Sequence, residues 1–179
     1  DTLTGLANRK TFDFDLTRLL TAISSELQRP AKLKDAERRN GAVDDNWLVI
    51  IDIDHFKRVN DRHGHDMGDE VLCLFVSVVT KCLRQVDVFG RMGGEEFAVL
   101  MPETAQKGAL IAAERIREAV EQAKLDRNGQ SLSVTVSVGA VVGTHTVDEA
   151  LNLADEALYR AKHDGRNRVV LTEAEGDSI

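Results

Sequence analysis

The run Trp47-Leu48-Val49-Ile50-Ile51-Asp52-Ile53 constrains this chain more than any other stretch. It is continuously apolar, short and rich in branched residues, and it carries one acid near its end. Such a run reads as a central strand with both faces covered, because a half-exposed strand would alternate apolar and polar residues. A strand buried on both faces needs helices above and below it.

The sequence supplies them. Phe12, Leu16, Leu19, Leu20, Ile23 and Leu27 recur at helical spacing over residues 9–28, and Pro30 ends that pattern. A short helix is predicted over 54–61. Gly64 and Gly68 then mark a loop, and a strong apolar stripe runs from Asp69 to Arg84. Another helix is predicted over 104–124. A last one starts at a capping box, Thr146 with Glu149, and stops before Gly165. Between these helices lie further strands. Residues 86–92 and 96–101 flank Gly93-Gly94-Glu95 as a β-hairpin. Leu132, Val134, Val136, Val138 and Ala140 alternate with Ser and Thr, which predicts a half-buried strand. Val169–Leu171 is a short final strand. The polar stretch 30–46 reads as a solvated insertion, and the acidic tail 172–179 as disordered. Helices alternating with strands predict one domain of the α/β (α+β) class, a single mixed central sheet flanked by helices.

The formal net charge is −7, with a sequence pI of about 5.3. A polyanion such as DNA would be repelled on average, so nucleic acid is not an expected partner. No apolar run reaches the roughly 18–20 residues of a membrane span. Cys73 and Cys82 fall too far apart along one helix to pair, so both are expected to be buried, reduced thiols of a cytoplasmic protein. The chain opens at Asp1 without a methionine, already in a turn. It is expected to be a fragment that follows an absent regulatory region, through which the full protein could be membrane-anchored.

Two segments carry chemistry. In Gly93-Gly94-Glu95-Glu96-Phe97, glycines at a hairpin tip allow positive φ and leave room for a ligand. Neighbouring strand residues face opposite ways, so the turn must re-aim one of the two acids. The plain alternative is a solvated hairpin. In Asp52-Ile53-Asp54-His55-Phe56-Lys57, an acid inside an apolar strand is costly unless it is paired or metal-bound. Mg²⁺ favours one or two carboxylates plus substrate phosphates, and Lys57 could be a point charge for phosphate. Here the plain alternative is a capping Asp with an exposed Lys.

These stretches resemble the GGDEF family, the diguanylate cyclases. The resemblance rests on GGEEF at 93–97, on the motif from Asp52 to Asp61, on the opening Asp1–Arg9, and on Ala157–Asn167. The four motifs come in the family order and cover nearly the whole chain. The resemblance implies a mostly antiparallel sheet like that of palm and nucleotidyl-cyclase domains. It implies condensation of two GTP into cyclic di-GMP by a homodimer, each domain holding one GTP. Asp52 and Glu95 would bind Mg²⁺ or Mn²⁺, together with the carbonyl of Ile53. Glu95 would also accept a proton, with Glu96 in support. Asn60 and Asp69 would read the guanine edge, with His65 nearby. Lys57, Lys162 and Arg166 would hold phosphates. Phe56, Gly93 and Gly94 would lie against the nucleotide.

Arg84-Gln85-Val86-Asp87 resembles the family's RxxD site, where product binds back and inhibits, and Arg115 would contribute from a neighbouring helix. Chance RxxD sequences are common, but this one stands five residues before Gly93. The first alternative is a catalytically weak module that binds GTP or cyclic di-GMP. It would be marked by loss of an acid at 52 or 95, and both are intact. A cyclase making an adenine-containing product would be marked by a change at Asp69. A polymerase palm would carry a basic track, which is missing.

Overall fold

The computed structural model describes residues 1–14, 17–18, 45–142 and 147–172. Most of the predicted insertion at 30–46, the end of the first helix, Thr146 of the capping box and the tail beyond Thr172 lie outside the described residues. Helix begins at Arg9, where the Asn8 side chain accepts the Thr11 N–H at 3.1 Å as a cap.

The strands are β1 (Ala7–Asn8), β2 (Asp45–Ile53), β3 (Val88–Gly93), β4 (Glu96–Thr104), β5 (Leu125–Arg127), β6 (Gln130–Leu132), β7 (Val136–Val142) and β8 (Arg168–Thr172). Beyond the helix that begins at Arg9, the described helices are α1 (Phe56–His63), α2 (His65–Cys82), α3 (Gln106–Gln122) and α4 (Val147–His163). Six strands form one sheet in the order β1-β3-β4-β2-β7-β8. β2 runs antiparallel to β4 and β7, and β3 antiparallel to β4. The two edge pairs, β1 with β3 and β7 with β8, are parallel. The sheet is mixed and mostly antiparallel, as expected.

The central run becomes β2, and its alternation sorts the core into two layers. Trp47, Val49, Ile51 and Ile53 face α1, α2 and α3, where Phe75 and Phe97 pack with ring centroids 4.5 Å apart. Leu48 and Ile50 face α4, whose Ala150, Ala154 and Leu158 close the second layer. The same alternation puts Asp52 on the α4 side.

Four local expectations need correction. Gly68 lies inside α2 rather than in a loop. A Cβ there would stand 1.9 Å from the Asn60 side-chain oxygen and 3.2 Å from the Phe56 ring, so the glycine serves close helix packing. The strand predicted over 132–140 starts only at Val136 and is buried along almost its whole length, since α3 and α4 cover its two faces. At Gly139 an added Cβ would meet the α4 backbone at 2.4 Å. Residues 125–132 form a separate hairpin, β5–β6, around Asn128-Gly129. Finally, the cysteines are free thiols but not buried. Cys73 is exposed on the outer face of α2 and Cys82 is half-buried at its end.

Candidate active site

The hairpin β3–β4 turns at Gly94-Glu95, with Gly93 and Glu96 opposed as its last pair. Gly94 has φ +48, the left-handed region that glycine enters without a Cβ penalty. The ladder shifts register between Arg91 and Gly93, a bulge that re-aims the tip. Arg91 locks this tip. Its guanidinium donates to the Gly94 carbonyl at 3.1 and 2.7 Å and to the Asp1 carboxylate at 3.2 and 3.3 Å. The Asp1 carboxylate also accepts from Thr4 N–H and Oγ1. The opening motif is thereby docked on the hairpin, a role its sequence does not announce.

β2 brings Asp52 beside this tip. Asp52 pairs with Glu96 on one side and Ser137 on the other, and Ile53 N–H donates to the Glu95 carbonyl at 3.3 Å. Asp52 is only 5% exposed. Its partner is Lys162, whose Nζ lies 2.8 Å from Oδ2. Helical spacing explains the meeting: Lys162 lies one turn beyond Leu158, which packs against the same face of β2.

Burial pushes the Asp52 carboxyl up from its ordinary value, against the opposing pull of Lys162. Burial, then repulsion from Asp52, raises Glu95 as well. Lys162 counters both, and Arg166 is close enough for its charge to be felt at Asp52. Burial and mutual repulsion both disfavour the ionised pair, and Glu96 adds to the repulsion at Glu95. A divalent cation held between the two carboxylates would relieve that cost. Among the described residues no group of three or more His, Cys, Asp and Glu could hold a metal alone. Two carboxylates completed by substrate phosphates is the donor set Mg²⁺ prefers.

The guanine candidates lie on the other side of β2, at the seam between α1 and α2. Asn60 is half-buried, with its amide laid against Gly68. Asp69 follows Gly68 directly, and His65 lies one turn earlier on α2; both are exposed. Lys57 is exposed in the first turn of α1. Phe56 is 6% exposed, so its ring belongs to the core beneath Gly68 and only its backbone can approach a ligand. Gly93 and Gly94 have nothing within 4 Å of an added Cβ, so the space above the hairpin tip is open.

Arg84 and Asp87 are brought together away from this site. Arg84 donates to Asp87 Oδ1 at 2.9 Å through Nη2 and at 3.2 Å through Nε, and to the Pro102 carbonyl at 3.1 Å. Arg115 on α3 donates to the Cys82 carbonyl, close in the chain to Arg84.

Sequence reasoning missed Asp54. It is 4% exposed and fully hydrogen-bonded, to Ser137 Oγ at 2.6 Å, Thr135 Oγ1 at 2.7 Å and Asn167 N–H at 3.1 Å. The available signal was a second acid following an apolar strand, facing a Thr-Val-Ser stretch.

The family model of the diguanylate cyclase GGDEF domain matches residues 1–168. The chain is 39% identical over 171 residues to diguanylate cyclase DgcM of Escherichia coli, covering 95% of this chain and 37% of that protein. It thus spans little more than a third of that relative's length. Among solved structures, diguanylate cyclase SiaD of Pseudomonas aeruginosa, in complex with its activator SiaC, superposes with a TM-score of 0.81 at 35% identity. That match covers 96% of this chain and 61% of SiaD. The coiled coil and GGDEF domain of DgcB from Caulobacter crescentus, in complex with c-di-GMP, gives 0.79 at 32% identity, over 96% and 84% of the two chains. A sheet with Asp52 at its centre, a GGEEF tip beside it, and a match of sequence and fold along nearly the whole length lead to one assignment: the chain belongs to the diguanylate cyclase GGDEF domain family.

Proposed function

We propose that this domain condenses two GTP molecules into cyclic di-GMP and two pyrophosphates. The observation that carries the reading is the juxtaposition of Asp52, Glu95 and Lys162 at one end of β2. Each GTP 3′-oxygen forms a bond to the other's α-phosphorus, and each α–β phosphoanhydride breaks. Asp52, Glu95 and the Ile53 carbonyl would hold Mg²⁺ or Mn²⁺. Bound there, the cation supplies Lewis acidity and lowers the pKa of the attacking hydroxyl. Glu95 accepts the hydroxyl proton as general base. Glu96 adds negative charge beside it. Lys57, Lys162 and Arg166 hold the phosphates, while Asn60 and Asp69, with His65 near, accept and position the guanine. A carboxylate at 69 matches the N1–H and N2–H donors of that base.

One domain holds one substrate, so a homodimer is the active species, set in the full protein behind a regulatory region and placed in the cytoplasm. Catalysis is then mainly positioning and charge stabilisation. Product binds back at Arg84 and Asp87, with Arg115 alongside, and slows the enzyme.

The test is incubation of concentrated protein with GTP and Mg²⁺, with products separated by chromatography. Cyclic di-GMP should accumulate and then plateau. Glu95→Gln should reduce the rate at least about a hundredfold, as loss of a general base does, with the circular-dichroism spectrum unchanged. Full activity in that variant would remove Glu95 from the mechanism. No product, even from a domain fused to a dimerising partner, would leave a nucleotide-binding module.

A further inference from the structure

Asp54 stands two residues beyond Asp52, yet both oxygens of its carboxylate are hydrogen-bonded within the protein. Ser137 Oγ, Thr135 Oγ1 and the Asn167 N–H occupy its two oxygens, and its own N–H donates to the Thr135 carbonyl at 2.9 Å. A carboxylate this buried and this satisfied anchors something.

What it anchors is the turn after α4. Arg166 and Asn167 have φ 63 and φ 46, two consecutive non-glycine residues in the left-handed region. Such backbone persists only where its surroundings over-determine it. Asn167 is gripped a second time through its side chain. Oδ1 accepts from Arg117 Nη1 at 3.0 Å, and Nδ2 donates to Glu121 Oε1 at 2.7 Å. The turn is thus held from the sheet by Asp54 and from α3 by Arg117 and Glu121. Arg166 lies between those grips and the end of α4, with its N–H on the Ala161 carbonyl at 3.0 Å. Lys162, in the last turn of the same helix, reaches Asp52.

We propose that Asp54 and Asn167 are positioning residues for the substrate: together they fix the left-handed turn that aims Arg166 at the triphosphate beside Asp52 and Lys162. This rests on the reading of Arg166 as a phosphate-binding residue. The sign of the effect is distinctive. Removing the negative charge of Asp54 should, by charge alone, tighten binding of a polyanion. Loss of the anchor should weaken it.

The experiment is calorimetric titration of the purified chain, with Mg²⁺, against a GTP analogue whose α–β bridging oxygen is replaced by methylene. Arg166→Ala and Asp54→Asn should each weaken binding by about tenfold, the lower end of the range for outer-shell partners. The double variant Asp54→Asn/Arg166→Ala should bind no more weakly than Arg166→Ala alone, because the anchor acts through the arginine. Wild-type affinity in Asp54→Asn overturns the proposal. So does a loss of equal size with and without Arg166, which is what a merely structural residue gives. If Asp54→Asn does not fold, Asn167→Gly decides. It keeps the left-handed backbone and the N–H for Asp54 but removes the grip from α3, and its loss should likewise vanish when Arg166 is absent. Wild-type binding by Arg166→Ala would instead sink the phosphate role itself, and that outcome is visible without touching Asp54.

Discussion

At residue scale, Gly68 shows how a missing side chain can place a present one. The Asn60 amide occupies the space an alanine methyl would need, 1.9 Å from the Cβ position. Alanine gains about 0.8–1.0 kcal/mol of helix propensity over glycine. The clash forces Asn60 to another rotamer, which costs stability in return. The two effects offset in the fold, but nothing offsets the displaced amide in the site. Gly68→Ala should therefore melt close to the wild type while binding the GTP analogue about tenfold more weakly, the worth of one hydrogen bond left unmade. Calorimetry beside a thermal melt checks this, and unchanged affinity would separate Asn60 from the base. The glycine is visible in the sequence, but its partner is not. A glycine between apolar stripes reads equally as loop or as close packing, and only the position of α1 decides.

At the scale of elements, the raised carboxyls of Asp52 and Glu95 set a pH dependence. Each binds its proton more tightly in the folded chain than in the unfolded one. Without metal, the stability this provides is fully present below the ordinary values of 3.8 and 4.5 and is lost as pH rises through the raised folded values. The metal-free Glu95→Gln variant should therefore melt above the wild type near about pH 7, with the gap closing near about pH 4, where the wild-type carboxyl is protonated in both states. Melts at the two pH values decide it; a variant that melts lower at the higher pH would contradict the strain. The elements bearing these acids were legible beforehand. A buried central strand and a Gly-Gly hairpin each have a strong local signature, whereas Lys162 comes only from the likeness of Ala157–Asn167 to the family's last motif. Other elements were not legible. β1 is two residues long and is a strand only because β3 lies beside it. Thr135, just before the buried β7, and Ser137 within it both bond inward to Asp54, so polar residues that face the protein imitate a solvated face. The β5–β6 hairpin did carry an Asn-Gly signal, but its last residue, Leu132, reads equally well as the first of the alternating run that follows.

At the scale of the whole molecule, Arg84 links the end of α2 to the end of β4. It binds Thr104 Oγ1 at 2.5 Å as well as Pro102 and Asp87, and the Asp87 side chain is 4% exposed. Arg84→Ala should therefore do two things. Product should accumulate past the wild-type plateau, because the proposed feedback site has lost its arginine. Stability should fall by about 1–3 kcal/mol, because a buried carboxylate loses its charged partner and keeps only the residue-84 N–H at 2.8 Å. A time course read with a denaturant melt checks both, and a plateau at the wild-type level would place feedback elsewhere.

The bond between Asp54 and the Asn167 N–H joins residues 113 positions apart in sequence. Holding together residues so far apart costs chain entropy that only the packed sheet and helices between them repay. The proposed triphosphate site therefore exists only where the sheet, α3 and α4 are all in place. A partly folded or clipped chain that keeps its hairpin and α1 to α3 but lacks α4 and its turn has lost Lys162 and Arg166, the cations proposed for the phosphates. Nucleotide should accordingly bind the complete domain most tightly and stabilise it by mass action.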